Sequence, residues 1–298
     1  MMIPMEAVLY IVLIVVGAAM GSFAGAMTWR LRAKQLVYDK KAGTKLDEHE
    51  AAEYKRLLPL TKKHGRHDRS IDLDTGKRLA WYDLIPIFSW LWLRGKSRYS
   101  GKPIGMLEIL IEVGMAAFFV LSYLSWPYPL ETSVEVARLV LWLAAGVGLG
   151  ILFAYDIKWF LLPDRINFTV IGLGVVSALI VVLGAQNVQE TVFSIIGAVL
   201  ILSGLYWALY IVSKHRWVGF GDVKLGLGLA LLLADWRLAF LALFLANLVG
   251  CLVVLPGMIT GKLKRNSHVP FGPLLIIGFV IAGLVGNRIV DFYFSSLL

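Results

Sequence analysis

The chain has 298 residues, 58% of them hydrophobic and 16% charged, with a formal net charge of +9. Its mean hydropathy is +0.74, and its long uncharged runs exclude an ordinary soluble domain. The single cysteine, Cys251, excludes both a disulfide framework and a cysteine-built zinc site.

Crossing about 30 Å of hydrocarbon takes about 20 apolar residues. Taken in chain order, seven segments meet or approach this length: 6–30, 104–126, 134–155, 166–186, 191–213, 238–260 and 269–295. Residues 1–6 carry no Lys or Arg, so the first run lacks the basic start of a cleaved signal peptide and reads as a retained helix. An eighth, shorter apolar run covers 222–235. The expected fold is an all-α polytopic membrane protein of about eight transmembrane helices. A first helix (1–30) precedes a cytoplasmic segment (31–103), and a seven-helix membrane domain (104–298) follows.

Charge sets the orientation. With 30–102 and the loops near 156–165, 214–224 and 262–265 on one side, that side holds every Lys and Arg except Arg138, Arg237 and Arg288. These segments are therefore expected in the cytoplasm and both termini outside, which requires an even number of spans. Anionic lipid headgroups attract such basic segments, so membrane lipid accounts for the net charge and no nucleic-acid partner is expected.

Within the cytoplasmic segment, residues 47–58 suit a short surface helix. Trp81, Tyr82, Ile85, Phe88, Trp90, Leu91 and Trp92 form an aromatic, apolar run too short to span, suited to the membrane surface or to packing on helices.

Acids at the membrane edge are costly and need a reason. Asp156 ends the third span in Ala154-Tyr155-Asp156, and Asp222 begins the short one in Gly219-Phe220-Gly221-Asp222. Both fall at cytoplasmic helix ends, so they can meet although 66 positions separate them. The helix from Asp222 to Asp235 is roughly 20 Å long, which places Asp222 on the order of 10 Å inside a core of about 30 Å. Two carboxyls at about 3 Å share one proton, the arrangement that hydrolyses amides. Gly219 and Gly221 would let an extended substrate approach and permit positive φ. Residue chemistry alone leaves open an N-cap role for Asp222, a loop-acid role for Asp156 and a plain loop for the glycines. Asp164 is expected to cap the fourth span rather than catalyse. Lys224, two positions from Asp222, is expected to point away from it, towards headgroups or the loop.

These residues resemble a family. Gly219-Phe220-Gly221-Asp222 with Val223-Lys224-Leu225 resembles the second aspartate motif of bacterial type IV prepilin peptidases, and Asp156 with Leu162-Pro163-Asp164 resembles the first. Val269-Pro270-Phe271-Gly272-Pro273 is similar to the start of that family's last helix, and Gly21-Ser22-Phe23 with Trp29-Arg30-Leu31 to its first span. Trp81-Tyr82-Asp83 through Pro86, Ser89-Trp90-Leu91, Arg94-Gly95-Lys96 and Glu108 resemble its cytoplasmic domain. The resemblance implies an inner-membrane aspartic endopeptidase using Asp156 and Asp222. Such an enzyme cuts the basic leader of type IV prepilins and pseudopilins after a glycine at the cytoplasmic face. It also implies N-methylation of the new terminus from S-adenosylmethionine, with Gly95 and Glu108 as candidate residues.

The chain departs from the pattern where many members carry four zinc-binding cysteines. Asp72, Thr75, Ser97 and Ser100 stand there, and zinc is not expected. His64 and His67 with Asp72 offer a remote alternative metal set; solvated loop histidines are the expected reading. The missing cysteines bear on methyl transfer more than on cleavage. Rival readings are a presenilin- or signal-peptide-peptidase-type enzyme, a preflagellin-type peptidase, a transporter using Asp156 and Asp222 as a proton or cation relay, and a non-enzymatic scaffold.

Overall fold

The computed structural model describes residues 5–61, 70–261, 264 and 268–295. Among them the chain is helical, with two isolated antiparallel bridges and no strand. It divides into two compact units, Met1–Val120 and Leu121–Leu298.

In the first unit, α1 runs Met5–Lys41, well past the expected end at residue 30. The extension persists because it has an apolar side to bury. Ala33 and Leu36 pack against Leu57 of α2 (Glu48–Leu57), with Trp29, Tyr54 and Leu60 around them. Buried Arg32 bonds Glu53 at 2.8 Å and Glu50 at 3.3 Å, so its charge is paired. The expected surface helix is present, capped by Asp47, whose side chain accepts from the Glu50 N–H. A short α3 (Phe88–Trp92) precedes α4 (Met106–Leu124). The Ile87 N–H donates to Glu112 Oε2 of α4 at 2.7 Å, which holds Ile87 at φ 63, a costly conformation for a β-branched residue. Trp81 and Trp92 remain about three-quarters exposed, so this aromatic run is largely surface.

The second unit contains α5 (Ser133–Trp159), α6 (Asp164–Leu183), α7 (Val188–Val199), α8 (Leu205–Val212), α9 (Phe220–Leu233), α10 (Trp236–Ile259) and α11 (Phe271–Ser295). A π-helical turn at Leu200–Gly204 joins α7 to α8 as one span. Outward faces expose residues such as Leu183, Leu200, Leu252 and Ile259. In water they would be a liability; against hydrocarbon they are the expected lipid-facing surface.

Seven helices are long and apolar enough to cross a membrane among the described residues. The expected eighth, α9, is helical but has only 14 residues. It packs against α6, α7, α8, α10, α11 and the π turn, and eight of its residues are buried. A helix enclosed by protein need not match the bilayer thickness, which is why its length falls short. Ala234 in the left-handed region ends it, and Asp235 caps α10 by accepting from the Arg237 and Leu238 N–H groups.

Candidate active site

Asp156 lies three residues before the end of α5 and is only 5% exposed. It is an intrahelical residue rather than a loop acid. Its Oδ2 accepts from the Gly272 N–H of α11 at 3.0 Å. Asp222 occupies the first turn of α9. It is not the N-cap: Gly219 holds that position, and Asp222 Oδ2 accepts from the Gly219 N–H at 3.2 Å. The positive end of the α9 dipole adds to the stabilisation of charge there.

Leu162 brings the two acid-bearing segments together. A β-carbon at Gly221 would meet Leu162 Cβ at 2.9 Å. A β-carbon at Gly272 would meet Asp156 Oδ2 at 2.8 Å and Leu162 Cδ2 at 3.3 Å. The loop after α5, the start of α9 and the start of α11 thus converge on one side chain. The Asp156 and Asp222 carboxyls lie within electrostatic reach of each other.

Neither motif glycine uses positive φ, contrary to the expectation: Gly219 is extended (φ −77, ψ 149), and Gly221 is helical. Gly221 is required by the close approach of Leu162. Gly219 is exposed, and a β-carbon there would meet only ordinary contacts.

Asp164 does not cap α6. Pro163 is the N-cap residue, and Asp164 Oδ1 instead accepts from Lys224 Nζ at 2.6 Å. Lys224 also sits over the Phe168 and Phe220 rings, turned towards the loop and α6 as its helical position requires. Asn167, Leu162, Gly272 and Tyr206 were not assigned roles from the sequence. Asn167 is fully buried and donates from Nδ2 to the Gly221 carbonyl at 3.3 Å, while its Oδ1 lacks a partner. A polar residue in the first turns of an apolar span was the signal available for it.

The cytoplasmic segment has a second polar cluster. Residues 71–78 and 96–103 form two turns of the same design, closed by the Ile71–Arg78 and Lys96–Pro103 bridges. Asp72 Oδ1 accepts from the Thr75 N–H, the Thr75 hydroxyl and the Asp74 N–H. Its Oδ2 accepts from the Ser97 and Ser100 hydroxyls. Burial alone would push the Asp72 carboxyl up; the hydrogen bonds from Ser97, Thr75 and Asp74 outweigh it and hold the group at about 2, below its ordinary 3.8. One carboxylate and three hydroxyls do not fit zinc. Among the described residues no group of three or more His, Cys, Asp or Glu could hold a metal. His64 and His67 lie outside the described residues.

Gly95 (φ 71) backs onto the Trp90 ring, and its carbonyl accepts from the Ile104 N–H at 2.7 Å. Glu108 accepts from the Trp29 indole at 3.1 Å and lies against Gly105. The two candidates are therefore linked through Ile104-Gly105 rather than in direct contact.

A polytopic helical protein with one aspartate near the end of a helix and another in the first turn of a second, within electrostatic reach, has the form of a membrane aspartic peptidase. Residues 15–126 match the Bacterial Peptidase A24 N-terminal domain, and 143–255 match the Type IV leader peptidase family. The chain is 32% identical over 218 residues to the prepilin leader peptidase/N-methyltransferase of Aeromonas hydrophila, covering 72% of this chain and 70% of that protein. It is 30% identical over 230 residues to that of Xanthomonas campestris, covering 75% of each. With that of Stutzerimonas stutzeri it shares 27% identity over 286 residues, 94% of this chain and 92% of the other. No solved structure matches it. The chain belongs to the type IV prepilin leader peptidase family. Membership sets aside the transporter, scaffold and presenilin-type readings.

Proposed function

We propose that this protein is an inner-membrane aspartic endopeptidase that removes the basic leader of type IV prepilins and pseudopilins at the cytoplasmic face, using Asp156 and Asp222. The convergence of the loop after Asp156, the Gly221-Asp222 start of α9 and Gly272 on Leu162 carries the reading. Two carboxyls brought to about 3 Å hold one proton between them. The ionised member takes a proton from water, and the hydroxide adds to the scissile carbonyl carbon. The protonated member gives its proton to the carbonyl oxygen. As the tetrahedral intermediate collapses, one of its hydroxyls returns a proton to the aspartate that had donated one, the C–N bond breaks, and the amine leaves with the proton taken from water. The Gly272 N–H keeps one Asp156 oxygen oriented through these steps.

Both termini are placed outside, and the basic loops against anionic lipid. The peptidase chemistry is assigned to the membrane domain, with 31–103 as a methyltransferase-like segment. There the buried Trp90 indole N–H lacks a partner and the Trp90 ring packs on Gly95, which supports a binding role for this turn. Gly95, Trp90 and Glu108 would hold the cofactor, which supplies an electrophilic methyl group to the new N-terminus. Cleavage is tested by mixing detergent-solubilised enzyme with a prepilin and reading the leader-loss shift on a gel. A shift supports the peptidase, and its absence with folded enzyme contradicts it. Labelled S-adenosylmethionine in the same mixture tests methylation, which Gly95→Ala should reduce without affecting the shift.

A further inference from the structure

We propose that Tyr206 is a third catalytic residue, its hydroxyl donating a hydrogen bond to the scissile carbonyl oxygen of the bound prepilin. This rests on the peptidase reading above.

The placement follows from contacts on either side of it. The Ser203 hydroxyl donates to the Val223 carbonyl at 3.0 Å, and the Tyr210 ring lies 5.4 Å from the Phe220 ring. Residues 203, 206 and 210 share one helix face by their three- and four-residue spacing. Tyr206 lies between these two contacts and therefore faces the Gly221-Asp222 level of α9. On its other side its ring packs 5.2 Å from that of Phe271. Phe271 immediately precedes Gly272, whose N–H binds Asp156. Tyr206 thus stands between the two aspartate-bearing segments.

Its hydroxyl is buried, has no hydrogen-bond partner and lies within electrostatic reach of Asp222. A buried phenol normally finds a partner, and leaving one unpaired has a cost. The cost makes sense if the partner arrives with the substrate. Adjacent to α8 is the π turn at Leu200–Gly204, where Gly226 of α9 lies against the Leu202 carbonyl. Such turns often re-aim side chains at functional sites. As the carbonyl oxygen gains charge in the tetrahedral intermediate, a fixed phenol donor stabilises it alongside the proton from the aspartate pair. The phenol keeps its own proton, so the atom balance of hydrolysis is unchanged.

The test is Tyr206→Phe, which removes only an unpaired hydroxyl and keeps the ring on Phe271. With purified enzyme and a prepilin, kcat should fall about 100-fold while KM changes less than about threefold. A second measurement uses a leader peptide with a hydroxyethylene group in place of the scissile amide. Its inhibition should weaken about tenfold or more in Tyr206→Phe, while that of the matching reduced-amide peptide should not. Wild-type turnover by Tyr206→Phe, or a rise in KM alone, would overturn the proposal while leaving the peptidase reading intact. Failure of wild-type enzyme to cleave would instead overturn that reading.

Discussion

The Gly272 N–H meets Asp156 Oδ2 at 3.0 Å across 116 positions of the chain. This bond ties the start of the last helix to the end of α5, and Leu162 fills the space between them and Gly221. Side chains at either glycine would displace groups that set the site.

Gly272→Ala should therefore lower kcat for prepilin by about 10- to 100-fold, because small misplacements of a reacting carboxyl carry penalties of that size. Gly221→Ala should behave similarly through Leu162. Gly219→Ala, with ordinary space for a methyl, should keep kcat within about threefold of wild type. Cleavage kinetics on the three variants decide this, and equal losses at all three would contradict the packing account.

Asp164 is the acid that the geometry removes from the chemistry. It is 61% exposed on its side chain and paired with Lys224. Asp164→Asn should retain cleavage. A double-mutant cycle of Asp164→Asn with Lys224→Met should give a coupling of about 1 kcal/mol or less in stability. Loss of cleavage in Asp164→Asn comparable to that in the Asp156 variant would show that the assignment of the pair is mistaken.

The Asp72 cluster makes a pH prediction. A carboxyl held lower in the folded chain than in the unfolded one stabilises the fold above its unfolded value. That contribution is fully present above 3.8 and is lost as pH falls towards about 2. Asp72→Asn should thus loosen the 71–78 and 96–103 turns at neutral pH, with the difference from wild type shrinking below pH 3.8. Hydrogen exchange at the Thr75 and Ser100 amides reports on it directly. EDTA should leave wild-type exchange unchanged, since one carboxylate and its hydroxyl donors hold these turns. Faster exchange on chelation would reveal a metal.

The spans were legible because apolar length is written locally: seven runs became seven long helices, with ends within a few residues except at α1. The extension of α1 to Lys41 was hidden because its cause is tertiary, a buried face on α2. The shortness of α9 was visible, but its enclosure by five helices was not. Helix ends and charge asymmetry singled out Asp156 and Asp222 as acids able to meet. Asp164 was misjudged because its N-cap position looked sufficient locally, whereas Lys224 lies 60 positions away. Tyr206 carried no signal at all: a tyrosine in an apolar run resembles any interfacial aromatic until its buried, unpaired hydroxyl is found within electrostatic reach of Asp222.

The most direct measurement compares prepilin cleavage by wild type, Asp156→Asn, Asp222→Asn and the double variant, each confirmed folded by its thermal midpoint. Two carboxyls acting as one unit predict that each single change abolishes cleavage, by about a thousandfold or more, and that the double change is no worse. Cleavage near the wild-type rate by either single variant would contradict the shared-proton account.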